Sequence, residues 1–97
     1  MPETADDIVL DQTCGACPEQ YDAYIGGVQV GYLRLRHGTF RVDCPTSGGE
    51  TVYRAYPDGD GCFMDHERAR HLAAARQAIL DWRKARSEPD APAEPRF

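Results

Sequence analysis

Residues 28–42, VQVGYLRLRHGTFRV, constrain the fold of this chain more than any other stretch. Apolar and basic side chains alternate through it, it carries three arginines and no acid, and it breaks at His37-Gly38. Successive side chains of a strand point to opposite faces, so the segment reads as a β-hairpin with one apolar face and one arginine face. Leu33 and Leu35 point one way, Tyr32, Arg34 and Arg36 the other. Beyond the turn, Phe40 and Val42 oppose Arg41. This basic face belongs to a chain of 97 residues with a formal net charge of −5.

The flanking sequence extends the hairpin into a meander. A strand is expected over about Gln20–Ile25, joined to the hairpin by Gly26-Gly27, a two-residue turn signal. The hairpin strands are expected over Val28–Arg36 and Thr39–Asp43. A further strand is expected over Glu50–Tyr56, after the breaker cluster of residues 44–49. A helix is expected from about Asp65, a plausible cap, to Arg86. Ala69, Leu72, Ala75, Ile79 and Trp82 recur along it at three- and four-residue spacing, which gives one apolar stripe. His71 reads as a helix-surface residue. A meander and a helix must bury their apolar faces against each other. The expected fold class is therefore α+β, an antiparallel three- to four-stranded meander followed by one helix on one sheet face. Residues 1–7 and the proline-rich residues 87–97 lack apolar periodicity and are expected to be disordered tails around a single domain of residues 8–86.

No apolar run approaches the ~20 residues of a membrane span. The opening MPETADDIVL is acidic and has no basic n-region, so a secretory signal is not expected, and the cytoplasm is the expected compartment.

Three groupings invite chemistry. The first is the arginine face, Tyr32, Arg34, Arg36, Arg41 and Arg54, on the side of the sheet the helix leaves open. Guanidinium groups there would bind a partner, either a protein or the phosphates of a nucleic acid. The bland alternative is cross-strand pairing with Asp22, Asp43 or Glu50 on a solvated face. The second is the cysteines. Cys14 and Cys17 have the C-x2-C spacing of half a tetrahedral zinc site. In an up-and-down meander Cys14, Cys17, His37 and Cys62 fall at one end, with His66 nearby, and Cys44 at the other. That set would supply three thiolates and one imidazole to zinc; otherwise the cysteines are small apolar fillers. A thioredoxin-like redox role for CGAC needs a helix directly after the motif, whereas a strand and hairpin are expected there. The third is PDGDGCFMDHE, residues 57–67, which places Asp58, Asp60, Gly61, Phe63 and Glu67 in phase with a calcium loop. Tyr56 stands at its first ligand position and a strand precedes it, so a turn leading into a helix cap is the better account. No nucleophile elbow, phosphate loop or H-E-x-x-H occurs, and an enzyme is not expected.

CPEQYD, GYLRLRHGTFRVD and ETVYRAYPDGDGCF resemble a family of small proteins found in phages and prophages of actinobacteria, over roughly residues 14–82. The resemblance implies only a phage-encoded accessory protein acting inside a bacterial host, and it brings no functional residues with it; the exposed arginine face is what is expected to engage a host or phage protein. A meander followed by a helix is also similar to the sheet-type DNA-binding modules of some phage integrases.

Overall fold

Alternation and turn chemistry shape the sheet as expected. Residues 3–14 and 18–87 are described in the structure, a computed structural model. Five strands run β1 Val9–Cys14, β2 Glu19–Ile25, β3 Val28–Arg36, β4 Thr39–Cys44 and β5 Glu50–Ala55, followed by helix α1, Asp65–Ser87. Each strand pairs antiparallel with its neighbour in sequence, giving the order β1-β2-β3-β4-β5. Both tight turns hold two residues at positive φ, Gly26 and Gly27 at 56° and 81° and His37 and Gly38 at 53° and 76°. That is the pattern of hairpin turns whose twist matches their strands. His37 is the one non-glycine residue at positive φ among the described residues, and histidine tolerates that region better than most.

The α+β class and the terminal helix match the sequence reading, while the sheet gains a strand. β1 lies at the sheet edge, and its VLDQTC is exposed or half-buried throughout. A strand that buries so little leaves little periodicity to read.

The core lies between the sheet and α1. Ala23, Leu33, Leu35, Phe40 and Val42 face inward against Ala75, Ile79 and Leu80. Phe40 is fully buried, with edge-on ring contacts to Phe63 at 4.9 Å, His71 at 5.9 Å and Tyr53 at 6.0 Å. β3 carries an extra residue relative to β2 between Gln29 and Gly31, so Val30 has no opposite partner, and both Val30 and Gly31 are buried.

Four expectations about the helix and the tail need correction. The buried seam of α1 is Glu67, His71, Ala75 and Ile79, spaced by four, and Ala69 is exposed. His71 is not a surface residue; its ring stacks on Phe63 at 5.3 Å and 17°. Two polar residues in the seam hide it from any apolar count. The helix starts at Asp65, and the Met64 carbonyl accepts the first helical bond, from Arg68 N–H at 3.1 Å. The cap position is thus Met64, which has no side-chain oxygen, and the carboxylate of Glu67 accepts the Met64 N–H at 3.0 Å instead.

Residues 3–7 are not a disordered tail. Ala5–Asp7 form a 3-10 turn, and Ile8 is buried. Arg83 of α1 donates to Glu3 through Nε and Nη2 at 2.9 and 2.7 Å, and Arg76 donates to the Ile8 carbonyl at 3.2 Å. The bonds from Arg83 hold the Glu3 carboxyl below its ordinary range. Helix α1 runs through Ser87, and the rest of the expected C-terminal tail lies outside the described residues.

Candidate functional site

Strand alternation sets Arg34 and Arg36 on the face that α1 leaves open, and the sheet register brings the other arginines beside them. Gln20, Arg34, Arg41 and Arg54 are successive cross-strand partners on β2, β3, β4 and β5. Three guanidinium-bearing residues thus stand side by side on adjacent strands, about 4.8 Å apart in backbone spacing. With Arg36, His37 and Thr39 they line a depression of about 390 Å³.

The bland alternative, cross-strand pairing with Asp22, Asp43 or Glu50, is met at Arg41 alone. Among the described residues Arg34, Arg36 and Arg54 make no ion pair, and Arg41 meets Asp43 only at 3.4 Å. Asp43 is buried, and it accepts from the Thr51 hydroxyl of β5 at 2.8 Å and from Gly48 N–H of the 44–49 loop at 3.3 Å. Asp22 accepts from Gln29 at 3.2 Å, and Glu50 from the Trp82 indole at 3.1 Å. Like charges directly opposite each other on a sheet are destabilising.

The next row of the open face has the opposite sign. Asp11, Asp22, Tyr32 and Asp43 are cross-strand partners there. Tyr32, expected among the binding residues, lies in this carboxylate row and donates its hydroxyl to Gln20 at 2.7 Å. The open face therefore carries a basic row beside an acidic one, two residues or roughly 6.7 Å apart along the strands.

The end of the sheet expected to hold zinc is organised by backbone and carboxylates. β1 ends at Cys14, β3 turns at His37-Gly38, and the loop after β5 runs back to that end. There Gly38 N–H donates to the Asp60 carbonyl and Glu19 N–H to the Gly61 carbonyl, both at 2.7 Å. Cys14 and Cys62 are half-buried. Cys17 lies outside the described residues. Among the described residues, Asp58, His66 and Glu67 form the group whose ligand atoms lie within 4.8 Å of one another; Cys14, His37 and Cys62 do not. Cys44 is buried at the opposite end, as expected, and burial, then the charges of Asp43 and Glu50, push its thiol up to about 12.

Glu67, the last position of the calcium-loop phase, is already engaged by the backbone of residues 57–64. Its oxygens already accept N–H groups of Asp58 and Gly59 at 2.8 Å each, besides that of Met64. Burial opposes its charge, but the Met64, Asp58 and Gly59 donors, helped by His71, outweigh burial and bring the carboxyl down to about 2. The loop is a cradle for this carboxylate.

Glu19, absent from the sequence reading, is a second buried carboxylate. Its oxygens accept from Arg68 Nε at 2.9 Å, Arg68 Nη2 at 3.2 Å, the Phe63 N–H at 2.9 Å and the Tyr21 hydroxyl. Burial opposes its charge, but the bonds from Arg68, Tyr21 and Phe63 prevail and lower its pKa. The Tyr21 hydroxyl is pushed up to about 12, by burial first and then by Glu19. A signal existed: Glu19 is in phase with the inward-facing Tyr21 and Ala23, and an inward charge demands a partner.

The redox arrangement does not form, because antiparallel β2, not a helix, follows the CGAC segment. No helix among the described residues is long and apolar enough to cross a membrane. Comparison with protein-family models, curated proteins and solved structures finds no match.

Proposed function

We propose that this protein is a non-enzymatic binding module that holds acidic groups of a protein partner in the depression lined by Arg34, Arg36, Arg41 and Arg54. One observation carries the reading: three of these four arginines have no carboxylate partner, although acidic residues lie one row away. Unpaired, adjacent guanidinium groups on an open sheet gain most from a ligand that supplies the missing charge. The resemblance to phage-encoded proteins makes a host or phage protein the natural partner.

Nucleic acid is the weaker reading. Tyr32 is engaged with Gln20, and Asp11 and Asp22 would repel a phosphate backbone that continued along the strands. A zinc staple at the Cys14 end remains a separate proposal, carried by the C-x2-C spacing alone and tested by elemental analysis of freshly purified protein.

The binding reading is tested with an Asp/Glu-rich peptide and the double charge reversal Arg34→Glu/Arg54→Glu. Folding should survive, because exposed ionic contacts contribute about 0–1 kcal/mol each. Peptide binding, followed by fluorescence anisotropy, should be lost. A folded double variant that binds as the parent does rules the face out as the binding surface.

A further inference from the structure

We infer that the arginine depression is a receptor for a phosphate monoester, presented as a phosphorylated side chain of the protein partner. This deepens the binding reading above and rests on it. The number of donors decides between acidic groups. A carboxylate has two oxygens, and one guanidinium can satisfy both in a bidentate pair. Here Arg34, Arg36, Arg41 and Arg54, with the Thr39 hydroxyl and the His37 ring, surround one hollow. That is more donor capacity than a single carboxylate can accept. A phosphate monoester carries about −1.5 to −2 charges at neutral pH and three terminal oxygens, so it can engage two or three guanidinium groups at once.

The energetics of the empty sheet point the same way. Arg41 is the cross-strand partner of both Arg34 and Arg54, a row of like charge in which Arg41 alone meets a carboxylate, that of Asp43 at 3.4 Å. A dianion seated over that row would relieve the repulsion, and a monoanion would relieve less of it. His37, at φ 53°, stands at the rim of this hollow and of the neighbouring one lined by Pro18, Asp60 and Gly61. The hollow, about 390 Å³ and open to solvent, has room for a phosphate together with the side chain that carries it. The acidic row alongside limits the ligand to an isolated phosphate. A polyanion laid across the face would set its next charges against Asp11 and Asp22.

The test uses the full chain and four probes: a peptide with one phosphoserine among neutral residues, the same peptide with serine, the same with glutamate, and a short DNA duplex. Binding is read by calorimetry at 0.15 M salt. The phosphopeptide should bind at least tenfold more tightly than the glutamate peptide, and the serine peptide should not bind. Arg34→Gln and Arg54→Gln should each weaken phosphopeptide binding tenfold or more while the melting temperature holds. Arg54→Lys, which keeps the charge and loses the bidentate fork, should recover only part of the loss. Equal affinity for phosphoserine and glutamate peptides would overturn the phosphate inference and leave the acidic-partner reading standing. Tighter binding of the duplex than of any peptide, or no binding by any probe, would overturn both.

Discussion

Gly31 sits where the helix comes nearest to the sheet. A methyl group added there would lie 2.6 Å from Ile79 Cδ1 and 3.1 Å from Ile79 Cγ1, far inside van der Waals contact. The position takes glycine because α1 seats an isoleucine against β3, and no turn is involved. Gly31→Ala should therefore destabilise the protein by about 1–3 kcal/mol, the usual cost of overpacking. Trimming the opposing side chain with Ile79→Val should recover part of that loss in urea titrations. Equal melting of Gly31→Ala and the parent would mean that the helix is not held so closely. The arginines of the open face follow a different rule. Their alternation with Leu33, Leu35 and Val42 was legible in the sequence, as was their convergence, because a two-residue turn fixes the register of β3 on β4. Whether they were neutralised was not legible. Asp43 lies two residues from Arg41 along β4, in the neighbouring row, but its carboxylate is occupied by Gly48 and Thr51, and only three-dimensional placement shows that.

Between the strands and the helix, the sequence disclosed what was periodic and concealed what was polar. The meander, its two turns and the terminal helix came from period-2 and period-3.6 patterns. β1 did not, since an edge strand with little buried surface has nothing periodic to show. The helix seam was misplaced because Glu67 and His71 occupy two of its four buried positions. Those residues make the joint between loop and helix sensitive to acid. The Glu67 carboxyl titrates at about 2 in the folded protein against an ordinary value of 4.5. A group whose pKa is lowered by folding stabilises the folded state fully above its unfolded value. That contribution fades as the pH falls from about 4.5 toward 2. Glu19, lowered in the same direction, adds to the same acid limb. Glu67→Gln should lower the melting temperature at pH 7, since an amide oxygen accepts less well from three N–H donors. It should also make stability less dependent on pH between about 4.5 and 2. Parallel melting-temperature profiles for variant and parent across that range would refute this role of Glu67.

At the scale of the whole molecule, one helix closes a sheet that is otherwise open on both faces. Ala75, Ile79 and Leu80 of α1 cover Leu33, Leu35, Phe40 and Val42, and among the described residues no second α-helix shares the task. A chain ending at residue 64 would keep all five strands and lose that cover. It should fail to fold as a monomer, seen as aggregation or as dye binding to exposed apolar surface; a monomeric fragment with cooperative melting would contradict this. The same geometry has a consequence during synthesis. Every strand pairs with the strand made just before it, so the meander has its partners as soon as each emerges. The helix is translated after all five strands, and at roughly 5–20 residues per second the sheet waits a second or more for it. Through that interval the apolar face is bare, and a ribosome stalled after β5 would display a sticky nascent chain to whatever chaperone is at hand.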